Sequence, residues 1–272
     1  MAFHQCPLHP PPPAPENQMN PSMELRWLEE GNKDFKNHIN TFHPGLFEKT
    51  AEAQHPPFLI IGCADSRVSE ATVFSMLPGS VFASRNVANQ FHSSDTSIYS
   101  TLAYGVAELG VNHVIVLGHY GCGGVKAAMS PHPEPPIDAA QGVVQAWIEP
   151  IRELHRNSLR PEIHSFREEY ATGHVSDSTR DIGFRALVEE NVRASVTRIA
   201  ASSVIVNHFA KLKNINGTTY RSFRTGEDIP ATPVFIHGWV YDFADGNVYD
   251  LDVSVGPPGI HVPKSRFPRP PC

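Results

Sequence analysis

The chain has 272 residues, enough to bury a substantial core, and its apolar fraction of 40% and charged fraction of 18% are typical of a globular protein. A formal net charge of −6 argues against nucleic acid as the main partner, because neutralising phosphates requires a basic surface. No apolar run approaches the roughly 20 residues that a membrane-spanning helix needs, so we expect no membrane association.

Prolines concentrate at the two ends of the chain, with seven in residues 1–21 and six in residues 257–272. Because proline fixes φ and removes an amide donor, we expect both ends to be extended or disordered: a disordered tail over 1–21 and a proline-rich C-terminal tail over 257–272. Residues 22–256 are then predicted to form a single domain. Four cysteines are too few for a disulfide scaffold. Secretory and mitochondrial leaders need early positive charge, and the first Lys or Arg is Arg26. We therefore expect a cytoplasmic protein.

Between the tails, apolar residues alternate between helical and strand patterns. The first element predicted is an amphipathic helix, because apolar residues from Trp27 to Phe35 recur at helical spacing. The elements that follow are a strand over 58–62, a strand over 81–83, a helix over 98–109, a strand over 113–118, helices around 144–151 and 188–199, a strand over 234–240 and, after a turn at 245–246, a hairpin strand over 248–255. This order predicts an α/β fold: a mostly parallel central sheet with an antiparallel edge strand, flanked by helices, with an N-terminal helical arm. The stretches 130–138 and 211–232 are predicted to be a proline-rich loop and a long polar surface connection.

Three residues of metal-ligand type follow two of the buried strands. Cys63 comes directly after the first strand, His119 directly after the strand over 113–118, and Cys122 three residues later at the start of the next helix. Parallel strands bring their carboxyl ends to one edge of a sheet, so these side chains are expected to converge. A lone buried Cys or His is more often structural, but thiolates and imidazole together are the ligands that zinc prefers, and three protein ligands leave a fourth position open for catalysis. The sequence therefore predicts one catalytic Zn²⁺ per subunit.

Asp65 and Arg67 lie within four residues of the first predicted ligand. The Asp65 carboxylate could occupy the fourth metal position, whereas Arg67 could hold it away in a two-pronged hydrogen bond. Held in that way, the carboxylate would accept a proton from the metal-bound water and orient the hydroxide.

The residues around these ligands, Ile61-Gly62-Cys63-Ala64-Asp65-Ser66-Arg67 and Gly118-His119-Tyr120-Gly121-Cys122-Gly123-Gly124, resemble the two signature motifs of the β-class carbonic anhydrases. The resemblance extends from about Leu25 to about Val253. It implies zinc on Cys63, His119 and Cys122, and catalytic roles for Asp65 and Arg67.

The resemblance also implies a substrate pocket of the plant-like, open-site type. Gln54, Phe82 and Tyr104 stand at the register positions that shape this pocket in the family, and Gly123 is counted with them as substrate-binding. Ile60 stands where the type that can close has a Trp. In the family the pocket lies at a dimer interface on which the N-terminal helix packs, so a homodimer or a dimer of dimers is implied.

The function implied is carbonate dehydratase activity, the zinc-dependent, reversible hydration of CO2 to bicarbonate and a proton by zinc-bound hydroxide. One alternative is a hydrolase of CS2 or carbonyl sulfide on the same scaffold. The other is a non-catalytic zinc or bicarbonate-sensing module in which Asp65 is a permanent fourth ligand.

Overall fold

The computed structural model describes residues 21–171, 180–212 and 219–271. Apart from Pro21, the predicted N-terminal tail lies outside the described residues. Two compact units divide the chain, the first ending at Gln54 and the second beginning at His55. The predicted domain boundaries stay predictions.

The first unit consists of helix α1 (Pro21–Phe42) and helix α2 (Leu46–Glu52). Gly45 precedes α2 with a positive φ of 81°, a conformation that glycine adopts without steric cost. The Phe35 ring meets the Phe47 ring edge-on at 6.1 Å and packs the two helices together. This unit confirms the predicted N-terminal helix and adds the short helix that the sequence pattern missed.

The second unit is an α/β structure around one main sheet. Its elements are β1 (Phe58–Cys63), α3 (Glu70–Val73), β2 (Val81–Asn86), α4 (Thr96–Ala107), β3 (His113–His119), α5 (Gly123–Met129), α6 (Ala139–Asn157), α7 (Pro161–Ala171), α8 (Ile182–Ala200), α9 (Ser203–Leu212), β4 (Thr219–Arg221), β5 (Asp228–Pro230), β6 (Phe235–Tyr241) and β7 (Val248–Asp250).

The main sheet has the strand order β2-β1-β3-β6-β7. The first four strands are parallel, and β7 pairs antiparallel with β6 at the edge. The fold predicted from the sequence is therefore confirmed. The edge strand is shorter than predicted, although Val255 returns to form an isolated antiparallel bridge with Ile236.

Three of the helices that flank the sheet begin at an aspartate cap. Asp95, Asp138 and Asp181 each accept a hydrogen bond from a backbone amide in the first turn of α4, α6 and α8. These helices bury their apolar sides against one face of the sheet, and together they form the larger of two cores. None of the described helices is both long and apolar enough to span a bilayer.

The opposite face of the sheet carries a smaller apolar cluster built on Ile60, Ile115 and Leu117. The proline-rich C-terminal segment extends along this side without helix or strand. Its Phe267 ring meets the Trp239 ring at 5.0 Å, and the Pro268 carbonyl accepts a hydrogen bond from the Asp250 amide at 2.8 Å.

The polar stretch over 211–232 differs from the predicted irregular connection, because it contains the antiparallel hairpin of β4 and β5. Glu108, whose side chain is fully buried, accepts hydrogen bonds from the Ser222 hydroxyl and the Phe223 amide of this hairpin. A buried carboxylate needs such donors, and it stabilises a hairpin that has little apolar pattern of its own.

Candidate metal centre

The sheet brings the three predicted ligands together at the carboxyl ends of adjacent strands. Cys63 is the last residue of β1, His119 is the last residue of β3, and Cys122 caps the start of α5. All three are buried, and their ligand atoms lie within 4.8 Å of one another. The two Sγ atoms are 3.9 Å apart. Throughout the described residues, no other group of His, Cys, Asp and Glu is grouped in this way.

Hydrogen bonding fixes which nitrogen of His119 is free to bind a metal. Nδ1 lies 3.1 Å from the carbonyl oxygen of Tyr120, which can only accept, so Nδ1 carries the proton. Nε2 then holds a lone pair; it is buried and has no hydrogen-bond partner among the described residues. A buried imidazole nitrogen left unpaired beside two thiols is the arrangement that a metal ion satisfies.

The surroundings of the two thiols favour a negative charge on Cys63, whereas that neighbour opposes a second negative charge on Cys122. A hydrogen bond from the Cys122 thiol lowers the pKa of Cys63 to about 4, assisted by His119. The Ala88 amide adds a hydrogen bond to Cys63 Sγ at 3.4 Å. The buried neighbour Cys63 raises the pKa of Cys122, while the amides of Gly124 and Val125 oppose that rise.

The donor set therefore fits a borderline-soft metal ion. Two sulfur atoms and one imidazole nitrogen are typical of three-ligand zinc sites, in which one coordination position is left for reaction.

The Asp65–Arg67 pair forms the two-pronged interaction expected from the sequence. Arg67 Nε donates to Asp65 Oδ1 at 2.9 Å and Nη2 donates to Oδ2 at 2.7 Å, while the Arg67 amide donates to Oδ1 at 2.9 Å. These bonds from Arg67 lower the pKa of Asp65 to about 2. Oδ2 lies 3.8 Å from His119 Nε2. The carboxylate is thus ionised, adjacent to the ligands and engaged by Arg67.

Arg85 ties down the loop that carries this pair. Its Nε donates to the Cys63 carbonyl at 3.0 Å, and its Nη2 donates to the carbonyls of Asp65, at 2.8 Å, and Val68. The role of Arg85 was missed by the sequence reasoning, because it depends on a contact across 22 residues that no local pattern indicates.

A second group missed by the sequence reasoning lies behind His119. The Tyr120 ring is buried, its hydroxyl donates to Glu189 Oε1 at 2.8 Å, and Arg160 Nη1 pairs with Glu189 Oε2 at 2.7 Å. The Arg185 guanidinium lies 3.4 Å from the centre of the Tyr120 ring. Burial, with Glu189 next, raises the pKa of Tyr120 well above its usual range, so the phenol remains a donor.

Within the second unit, the predicted pocket residues lie in two different places. Phe82 and Tyr104 are stacked with ring centroids 5.8 Å apart. Phe82 pairs with Leu59 on β1, four residues before Cys63, so it lies about 13 Å along the strand from the metal ligands. A side chain at Gly123 would meet no atom within 4 Å, so the space beside this residue is open. Gln54 ends the first unit, and its predicted place in the pocket stays a prediction.

Comparison with known proteins agrees with this geometry. The sequence profile of the family described as "Carbonic anhydrase" matches residues 58–227. A carbonic anhydrase of Emericella nidulans is 32% identical over 217 residues, which cover 80% of this chain and 78% of that protein.

Solved structures of this family are similar in fold. A Coccomyxa β-carbonic anhydrase in complex with acetazolamide has a TM-score of 0.63 and 32% identity, over 85% of this chain and 87% of that chain. A tetrameric β-carbonic anhydrase of Sordaria macrospora has a TM-score of 0.66 at 24% identity, over 86% of this chain and 99% of that chain, and supports the fold alone.

Proposed function

The chain belongs to the β-class carbonic anhydrases, whose reaction is the reversible hydration of CO2 to bicarbonate and a proton, and we propose that this chain carries it out with one zinc ion at Cys63, His119 and Cys122. The observation that carries the proposal is the buried, unpaired Nε2 of His119 beside two thiols. When bound there, zinc supplies a Lewis acid that lowers the pKa of water and makes hydroxide available near neutral pH.

Asp65 is proposed to orient the attacking water. Its Oδ1 accepts two hydrogen bonds from Arg67, whereas Oδ2 accepts one and retains a lone pair on the side that faces His119 Nε2. A carboxylate with a pKa of about 2 is ionised at physiological pH, so Oδ2 can accept a hydrogen bond from water and align it for attack on CO2.

Arg67 is proposed to keep the Asp65 carboxylate away from the metal ligands. Its two side-chain bonds leave Oδ2 3.8 Å from His119 Nε2. This arrangement favours an open site over the alternative in which Asp65 is a permanent fourth ligand.

Phe82 and Tyr104 are proposed to line the site of a neighbouring subunit in a homodimer, or in a dimer of dimers. The support is their position: about 13 Å of strand separates Phe82 from Cys63 within one chain. Exposed apolar residues on α1, namely Met23, Leu25 and Leu28, favour contact of the N-terminal helix with another subunit. Gln54 and Gly123 are proposed to complete the pocket. The proposed compartment is the reducing cytoplasm, since Cys63 and Cys122 are free thiols.

The direct test is stopped-flow CO2 hydration by zinc-loaded protein, with Cys63→Ser as the inactive control. Asp65→Ala is expected to lower activity about 10- to 100-fold, because a carboxylate that orients the attacking water is lost, while the zinc content stays at one per subunit. An inactive, fully zinc-loaded wild type would refute the proposed activity. Loss of zinc from the Asp65→Ala protein would refute the proposed role of Asp65.

Mixed dimers test the shared site. A dimer of one Cys63→Ser subunit and one Tyr104→Ala subunit contains a single site with all its residues intact if Tyr104 serves the neighbour. Its activity should then be half that of the wild type. Half of the activity of the Tyr104→Ala homodimer would show instead that Tyr104 serves its own subunit.

A further inference from the structure

Phe243, on the connection between β6 and β7, contacts both parts of the metal centre. The centre of its ring lies 4.3 Å from Cζ of Arg67 and 4.9 Å from the centre of the His119 ring. On its other side, the Tyr241 ring meets it edge-on at 5.5 Å. No motif in the sequence pointed to Phe243.

The backbone on either side of Phe243 is firmly held. The Asp242 amide donates to the Asn247 carbonyl at 2.9 Å, and the Ala244 amide donates to Asp242 Oδ1 at 2.9 Å. Asp242 Oδ2 pairs with Arg185 at 2.9 Å. Such a turn fixes the direction of the Cα–Cβ bond of Phe243, and the contacts of its ring with Arg67, His119 and Tyr241 select the side-chain position.

The Arg67 side chain needs this support because more than half of it is exposed to solvent. A long exposed arginine loses rotamer entropy when it is held in a two-pronged bond, and exposed ion pairs alone contribute little. A guanidinium that lies over an aromatic face gains attraction and loses alternative positions. The ring of Phe243 therefore restricts the group that holds Asp65.

We propose that Phe243 is a positioning residue that holds the Arg67 guanidinium in plane with Asp65 and thereby keeps the Asp65 carboxylate off the metal ligands. The inference rests on the proposed function, since it assigns Phe243 to the same reaction. Without the ring, only the bonds to Asp65 and a 3.3 Å hydrogen bond to the Gly121 carbonyl hold the guanidinium, so Arg67 leaves Asp65 more often. Oδ2, which lies 3.8 Å from His119 Nε2, can then move towards the metal.

A double-mutant cycle tests whether Phe243 acts through Arg67. Phe243→Leu is expected to lower kcat/KM for CO2 about three- to tenfold in the wild-type background, in line with the strength of a cation–π contact. In the Arg67→Ala background the same substitution should change kcat/KM less than about twofold, because the group it positions is absent. Phe243→Tyr, which retains the ring, should restore wild-type values.

The matched control is Phe74→Leu, which removes a ring from the same side of the sheet. Phe74 packs on Trp239 at 6.1 Å and belongs to the same apolar cluster. Its substitution should leave kcat/KM unchanged, which separates positioning from a general loss of packing.

A spectroscopic titration supplies a readout that is independent of turnover. In protein loaded with Co²⁺ in place of zinc, azide binding at the metal is followed in the visible spectrum. Phe243→Leu should weaken azide binding at least threefold because the freed Asp65 competes, and Asp65→Ala in the same protein should restore it.

Two results would overturn the inference. The first is a Phe243→Leu protein with the kcat/KM and azide affinity of the wild type. The second is a Phe243→Leu substitution that lowers kcat/KM by the same factor in the Arg67→Ala background as in the wild-type background. Either result, combined with an active wild-type enzyme, leaves the proposed function intact. An inactive zinc-loaded wild type would overturn the proposed function and the inference with it.

Discussion

Removing the Tyr120 hydroxyl tests the buried network behind His119. Tyr120→Phe keeps the ring, its contact with Arg185 and the backbone carbonyl that accepts from His119 Nδ1. It deletes one hydrogen bond of 2.8 Å to Glu189 Oε1 and leaves that oxygen without its donor. The perturbation is therefore confined to a single buried, charge-assisted bond.

The expected cost follows from the burial of both partners. Tyr120 is 1% exposed and Glu189 is 6% exposed. A hydrogen bond to a buried charged group contributes about 1.5–3 kcal/mol. The free energy of unfolding should fall by about 2 kcal/mol, which lowers Tm by about 4–8 °C in a protein of this size.

The assay is urea unfolding followed by circular dichroism, with Tyr249→Phe as the matched control. The Tyr249 hydroxyl also donates to a carboxylate, Asp245 Oδ2, at 2.6 Å, but Asp245 is exposed. The control should lose less than about 1 kcal/mol because water replaces the lost donor. Equal losses in the two variants would refute the argument that burial makes the Tyr120 bond strong.

Two further predictions concern the close packing and the buried histidines of the second unit. Gly118→Ala should lower the free energy of unfolding by about 1–3 kcal/mol, because its Cβ would lie 2.5 Å from Val192 Cγ2. The control Gly142→Ala, on a helix position with no atom within 4 Å, should instead raise it by about 0.5–1 kcal/mol, as urea unfolding of both would show. Burial, with His113 next, lowers the pKa of His237 to about 4, below the value of about 6.5 in the unfolded chain. The unfolded chain then binds the extra proton, so the stability due to neutral His237 is complete above about pH 6.5 and is lost as the pH falls towards 4. Between pH 7.5 and 5 this loss is about 2 kcal/mol, and a His237→Gln variant with the same pH dependence as the wild type would refute it.

The three side chains of the candidate metal centre could be found from the sequence because their placement follows from local rules. A continuous apolar run predicts a buried strand, and the carboxyl ends of adjacent parallel strands meet at one edge. Cys63 and His119 end two such runs, so their convergence required only that β1 and β3 be neighbours. Asp65 and Arg67 lie two residues apart, which is close enough for their pairing to be expected from the sequence.

The roles of the pocket residues stay predictions. Phe82 and Tyr104 match the family positions, but a match in sequence register does not give their distance from the metal centre. The strand pairing of Phe82 with Leu59 is what separates it from the ligands of its own chain. The hairpin of β4 and β5 was missed because the group that anchors it, the Glu108 carboxylate, lies more than a hundred residues earlier in the sequence.

The sequence by itself determined the α/β architecture, the convergence of Cys63, His119 and Cys122, and the Asp65–Arg67 pair, because periodicity and short spacing encode them. Only the tertiary structure decided what supports that site. Phe243 meets Arg67 across 176 positions of the chain, and Tyr120 meets Glu189 across 69. Such contacts depend on how the loops and helices pack around the sheet, and the free energy that selects them is a property of the folded core rather than of any segment.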